Sequence, residues 1–439
     1  MEKLPPSIRS ASATPLTQSA KKNMIFSCAD GAAYSMMVGC GETYIAAFAL
    51  AIGMSQITAG LTGTVPLLAG GALQLIGPAG ARWCRSYRRW VLICATLQGA
   101  AFLPLTYAAM QGTMSAVALF ATCALYWGFG MAAGPAWNNW IDRIIPKHQL
   151  CGFFTTRARL TQLAAFLAFL VAGYALVVFQ NNDLELRGFA TLFAVATACR
   201  FVSCICLRLQ SDAPALETAP ERIQISRMFT RFFAPQASRF LLFLLISQIS
   251  VNIGGAFFAP YMLGHAHFPY NEYVAIVGAS YLAKIAMLPL ISMFVQRIGS
   301  YRALCMAAIC IAPTPLFWFL TPNLYPLIFL QFYAGTVWAA YELASTLLIF
   351  ERIAAAERLQ ILTVFNLLNA AAVVTGSLIG GGMLHIVPVA HAYPYIFSLS
   401  AAARLLATSV LWRPSRWISR WGMDQVDSSP NQDTQSDAA

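Results

Sequence analysis

Long apolar stretches separated by short polar turns constrain this chain more than any other feature. A hydrocarbon layer about 30 Å thick is crossed by roughly 20 apolar residues in helical form. Measured with that ruler, twelve candidate spans fall at approximately 25–51, 54–79, 90–110, 114–139, 160–180, 188–208, 240–264, 272–295, 303–321, 324–349, 361–384 and 393–412. Of the 439 residues, 58% are hydrophobic and only 10% are charged, whereas a soluble domain carries about 25% charged residues. Too few charges remain to cover a water-soluble surface, which argues against a soluble nucleic-acid binder and against a cytosolic enzyme. The expected class is an all-α membrane protein.

Basic residues orient it, because cytoplasmic loops collect Lys and Arg. Arg200, Lys284 and Arg404 fall inside spans, and Arg187 falls in a loop facing away from the N-terminus. The other basic residues lie in the N-terminal tail, in loops on its side of the membrane, or in the C-terminal tail. Both termini are therefore expected in the cytoplasm of a bacterial-type inner (plasma) membrane, which requires an even number of spans. Arg82, Arg85, Arg88 and Arg89 fill the inner loop between spans 2 and 3. The net charge of +11 is mostly this inside bias and implies no nucleic-acid partner.

Residues 1–23 read as a polar, basic tail rather than a cleavable signal, since the apolar segment that follows is longer than a signal core of about 7–15 residues. Residues 209–238 form the longest polar connection and divide the spans into halves at 24–208 and 239–412. Within it, "RIQISRMFTRFF" could lie as an amphipathic helix on the inner leaflet, or serve as a solvated linker. The segment 413–439 ends in a polar, acidic run expected to be disordered. None of the eleven cysteines has the spacing of a zinc site or a disulfide framework, and no cofactor is expected.

The halves repeat each other. "CRSYRR" at Cys84–Arg89 has a counterpart in "QRIGSYR" at Gln296–Arg302, "YWGFGMAA" in "YAGTVWAA", "LFAVATACR" in "IFSLSAAAR", and "GETYIAAF" in "GGAFFAPY". The four pairs run in the same order at nearly the same spacing. Twelve spans, inner termini, a central cytoplasmic loop and a basic turn after span 2 resemble the major facilitator superfamily of secondary transporters. Its signature in that turn is G-x-x-x-D-[RK]-x-G-[RK]-[RK]. Here it reads Gly80, Cys84, Arg85, Tyr87, Arg88 and Arg89, with Cys84 in place of the aspartate and Tyr87 in place of the second glycine. The second half offers Gln296 at the acid position, then Arg297, Gly299 and Arg302. The glycine-rich motif of the drug antiporters in span 5 is missing.

The resemblance implies two pseudo-symmetric six-helix bundles that rock around a central site, with spans 1, 4, 7 and 10 lining it. It also implies latches that break and reform. Arg85 or Arg89 with Asp142, Arg157 with Asp142, and Arg297 or Arg302 near Glu351 are the candidates; plain positive-inside anchoring is the alternative.

Charges deep inside a span are expensive, at about 2.5–3.5 kcal/mol on insertion scales, and three stand out: Glu42 in span 1, Lys284 in span 8 and Glu342 in span 10. Burial in an apolar site favours a carboxyl's protonated form, which suits a proton carrier. Lys284 could be the counter-ion of either acid or a contact for an anionic substrate group; a fixed ion pair locking the packing is the alternative. Tyr34, Tyr44, Trp127, Asn252, Phe257, Tyr261, Trp338 and Tyr341 are candidate cavity walls, or plain helix packing. Arg200 and Arg404 occupy matching places and are expected to snorkel towards the inner surface. His265, His267, His385 and His391 fall in expected outer loops.

The functional expectation is a monomeric secondary transporter, not an enzyme, that moves a small organic solute by alternating access and couples it to protons. The rivals are a transporter-like receptor or scaffold without flux, and a membrane-embedded lipid-modifying enzyme, for which clustered acids are lacking.

Overall fold

The computed structural model describes residues 18–74, 77–146, 149–212, 238–318, 323–353 and 355–412. The expected amphipathic stretch in the central connection and the expected disordered tail lie outside these residues. Among the described residues every regular element is a helix. The first half contains α1 (Gln18–Cys40), α2 (Ile45–Ala51), α3 (Gln56–Leu61), α4 (Val65–Gln74), α5 (Gly77–Trp83), α6 (Tyr87–Ala100), α7 (Phe102–Gln111), α8 (Ala116–Ile144), α9 (Leu150–Gln180) and α10 (Glu185–Arg208). The second contains α11 (Ser238–Gly255), α12 (Tyr270–Ile298), α13 (Ser300–Ile311), α14 (Leu324–Arg352), α15 (Ala355–Ile386) and α16 (Val389–Trp412). Nine helical stretches of the described residues are long and apolar enough to cross a membrane.

Local chemistry sets several boundaries. Ser86 and Ser115 cap α6 and α8, their hydroxyls accepting from the amides of Arg89 (3.1 Å) and Ala118 (3.2 Å), which satisfies amides a helix start leaves open. Gly112, at φ +75°, ends α7 in the left-handed conformation that glycine adopts without strain. Several expected spans are not continuous helices, those at 90–110, 240–264 and 303–321 being interrupted as well as the first two. Span 1 is α1 and α2 joined by a tight 3-10 turn at Glu42–Tyr44, and span 2 is built from α3, α4 and α5. The first helix also begins earlier than expected, at Gln18.

The helices of the first half pack mainly on one another: α1 on α9 and α10, α8 on α4 and α6, and α7 on α10. In the second half α11 packs on α15 and α16, and α14 on α12 and α13. Across the halves, α9 meets α12, α4 and α3 meet α15, and the irregular turn Pro260–His265 meets α2 and α3. We call the end where α1 starts and α16 finishes the near end, and the opposite one the far end.

The buried apolar side chains divide along this axis. One cluster fills the far end with residues of both halves, among them Tyr44, Phe102, Phe169 and Phe193 with Phe257, Tyr261, Tyr273 and Phe397. The near-end clusters stay separate. One around Leu241, Val295 and Leu348 is built only from the second half, and those around Trp140 and Ile141 only from the first. The halves are thus fused at the far end and apart at the near end.

Packing inside a membrane relies on close van der Waals contact, which small residues permit. A Cβ on Gly39 would stand 2.3 Å from the Ala165 carbonyl oxygen, so glycine there lets α1 touch the α9 backbone. Gly335 likewise lets α14 touch α12 at Ser280. Gly39→Val should separate α1 from α9 and cost about 1–3 kcal/mol through overpacking, lowering the melting temperature in detergent. Gly134→Ala, at a position with open space around it, is expected to leave that temperature nearly unchanged.

Candidate functional site

The seam between the halves is aromatic. Tyr281 on α12 lies against Phe166 and Phe169 of α9, with centroids 6.4 and 5.8 Å apart, and Tyr273 approaches Phe169 at 6.3 Å. Lys284 is three residues beyond Tyr281 and so shares its helix face, one turn nearer the near end. Its ammonium meets Glu342 of α14, Nζ to Oε1 2.6 Å. The pair is open: side-chain exposure is 35% for Lys284 and 56% for Glu342. Trp338 and Tyr341, on the same helix as Glu342, form an edge-on pair at 5.3 Å.

Glu42 lies in the first half. It sits on the 3-10 turn that interrupts span 1 and accepts a hydrogen bond on Oε2 from the Tyr126 hydroxyl of α8. Tyr126 in turn contacts Trp127 edge-on at 5.5 Å. The Tyr281 side chain lies within electrostatic reach of both Glu42 and Glu342. Of the other expected wall residues, Tyr44 is fully buried and donates its hydroxyl to the Phe169 carbonyl at 2.7 Å. That commits it to holding α9 and removes it from the space around Glu42. Asn252 donates Nδ2 to the Gln248 carbonyl of its own helix at 2.8 Å.

A second charged group lies inside the first half. Asp30 of α1, 3% exposed, pairs with Arg157 of α9 at 3.4 Å and accepts from Ser203 of α10 at 2.6 Å, and Ser203 accepts from Arg200 at 2.7 Å. Arg157 also donates to the Ser27 carbonyl at 3.2 Å, and its guanidinium lies 4.3 Å from the Trp137 ring. Arg200 lies 4.8 Å from the Tyr34 ring. Asp30 escaped the sequence reading, although the rule about charge inside a span applies to it as it does to Glu42.

Several expectations are corrected here. Arg157 reaches Asp30 rather than the expected Asp142, because it lies two turns inside α9 on the face that packs on α1. Arg200 and Arg404 do not snorkel; each is 5% exposed. Arg404 bonds the Ile311 carbonyl at 3.3 Å and the Thr314 hydroxyl at 3.2 Å within its bundle. In the arginine-rich turn the ion pair is made by Arg88 rather than by Arg85 or Arg89. Arg88 lies 3.5 Å from Asp212 beyond α10, and Ser86 also donates to that carboxylate at 2.9 Å. Arg85 occupies the strained corner before the Ser86 cap, at φ +51°. Asp142 ends α8 beside Arg143, whose guanidinium lies over the Tyr87 ring at 5.1 Å. In the second half Glu351 accepts from Ser300 at 2.6 Å, and among the described residues no ion pair joins it to Arg297 or Arg302. Ser86 and Ser300 each stand in the Ser-Tyr-Arg segment that the two basic turns share, and each donates to a carboxylate.

Removing Asp30 would leave the buried Arg200 and the half-buried Arg157 without their carboxylate, and breaking a buried pair costs about 3–5 kcal/mol. Asp30→Asn should therefore lower the melting temperature strongly, and adding Arg157→Gln should restore part of the loss. Equal melting of Asp30→Asn and the parent chain would contradict this assignment.

No protein-family model matches the chain, and no curated sequence does. Solved structures do. A crystal structure of a point mutant of the nucleoside transporter NupG aligns with a TM-score of 0.68 at 13% identity, over 89% of this chain and 98% of that one. The D-xylose-proton symporter aligns with 0.68 at 14%, over 90% and 96%. A bacterial homologue of the iron transporter ferroportin, in its outward-facing state with soaked iron, aligns with 0.59 at 14%, over 93% and 100%. At these identities the likeness concerns architecture, and the chain has the fold of the major facilitator transporters.

Proposed function

We propose that the chain is a multi-pass membrane transporter that moves a small organic solute by alternating access, its two six-helix halves rocking about the far-end seam. One observation carries the reading. The buried core joins the halves at the far end and divides between them at the near end, so Lys284 and Glu342 lie where the seam stops and remain open. A site in mid-membrane that is accessible from one side is what alternating access requires. The solved neighbours, a nucleoside transporter and a D-xylose-proton symporter, accord with it. The basic bias of the near-end loops supports a cytoplasmic near end, and in this reading the state described is inward-open.

The far end is held by hydrogen bonds as well as by aromatic packing. Tyr270 donates to Glu185 at 2.6 Å and Tyr393 to Gln56 at 2.7 Å, each across the two halves. Both bonds must open in the opposite state, and each is replaced there by water. At the near end, Arg88 with Asp212 and Ser300 with Glu351 brace the corners of each half. Glu42 is the proton-coupling group in this reading: its carboxyl is held by Tyr126 at the break in span 1, beside the space through which the solute passes. A receptor that binds without flux is the alternative, and flux separates the two.

The test is the purified protein in liposomes with a pH-sensitive dye inside, challenged with pooled solutes. Solute-driven proton movement is expected with one pool. Glu42→Gln should abolish that proton movement while leaving solute exchange between the two faces largely intact. Proton movement that persists in Glu42→Gln would assign coupling elsewhere, and binding without flux in any pool would favour the receptor.

A further inference from the structure

The two ion pairs inside the helical bundles are built differently. Asp30 is buried and Arg157 half-buried, and both are tied to further partners, Ser203 and the Ser27 carbonyl. Lys284 and Glu342 have only each other: among the described residues neither side chain makes a second hydrogen bond, and both are open. The ammonium keeps unused donors and the carboxylate an unused oxygen. Their helix faces point at the space between the halves, since Tyr281, one turn away, reaches across the seam to Phe166 and Phe169.

We propose, on the transporter reading above, that Lys284 and Glu342 form a receptor for a zwitterion, with Lys284 taking the carboxylate and Glu342 the ammonium of an α-amino-acid-like solute. Charge balance carries the argument. In the empty site the two charges neutralise each other. A singly charged cation would take Glu342 and leave Lys284 without its counter-charge, and an anion would do the reverse, whereas charges inside a helical bundle are kept paired. A neutral solute would have to displace a charge-assisted bond with weaker ones. A zwitterion separates the pair and replaces one ion pair by two, with no net charge added and no group left alone. Trp338 and Tyr341 beside Glu342 supply an aromatic wall for the solute's apolar part. The arrangement also explains why the pair is unbraced: third partners would hold it shut.

The experiment is uptake by the full chain in liposomes of four matched pools: free α-amino acids, their carboxamides, their N-acetyl derivatives, and uncharged sugars and nucleosides. Uptake is expected for the free amino acids and at least tenfold less for the amides and acetylated forms, with none for the uncharged pool. Lys284→Gln and Glu342→Gln should each reduce amino-acid uptake at least tenfold, and the double exchange Lys284→Glu with Glu342→Lys should recover much of it, provided its melting temperature matches the parent. Uptake of a singly charged or uncharged pool at a rate equal to the amino acids overturns the inference while leaving the transporter intact. So does amino-acid uptake that survives both single variants. Uptake of no pool by the parent chain would instead remove the transport reading on which it rests.

Discussion

The contact on which the structure turns is the aromatic stack between α9 and α12. Phe166 and Phe169 on one side and Tyr273 and Tyr281 on the other join two bundles that otherwise pack mostly within themselves. Phe169 is fixed from behind by Tyr44, whose hydroxyl bonds its carbonyl and whose ring stacks on it at 5.5 Å. Aromatic pairs contribute about 0.5–1.5 kcal/mol each beyond their packing. A seam of a few such pairs is strong enough to hold one state and weak enough to be exchanged for another. The openness of Lys284 and Glu342 and the separation of the near-end cores follow from where this seam ends.

Polar groups within the bundles fall into two kinds. Asp30, Arg157, Arg200 and Ser203 form a closed network that ties α1, α9 and α10 together. Arg404, with no acid beside it among the described residues, is absorbed by a carbonyl and a hydroxyl in the second half. The internal repeat places an arginine at the same position of both halves and an acid in only one, so the halves have the same shape and different chemistry. Glu42 with Tyr126 and Lys284 with Glu342 lie outside these closed networks, next to the seam. In the proposed transport cycle they are the groups that exchange partners.

Much of the fold was legible because the bilayer imposes a length on every apolar stretch, and charge placement and the repeated segments then supplied order and symmetry. The breaks in spans 1 and 2 were not, since Gly39, Gly41 and Glu42 interrupt the apolar run of span 1 without showing that the helix stops there. The charges Glu42, Lys284 and Glu342 were legible as costs that need a reason. That Lys284 joins Glu342 rather than Glu42 was not, because the partners lie 58 residues apart and only the packing of α12 on α14 decides it. Neighbourhood in sequence misled the reading of Arg157, which points across to α1 rather than back along its own turn. Asp30 was passed over, and nothing in a single sequence shows which arginine Asp30 or Asp212 faces.

The claim that the halves rock about the seam is tested most directly by pairs of spin labels measured in lipid. One pair goes at the near end, at Arg159 and Gln296, and one at the far end, at Asn182 and Asn271. The account predicts a long near-end and a short far-end distance in the resting protein, and a second population with the order reversed once a transported solute is added. Distances that stay single and unchanged with every solute, or that lengthen and shorten together at both ends, would contradict it.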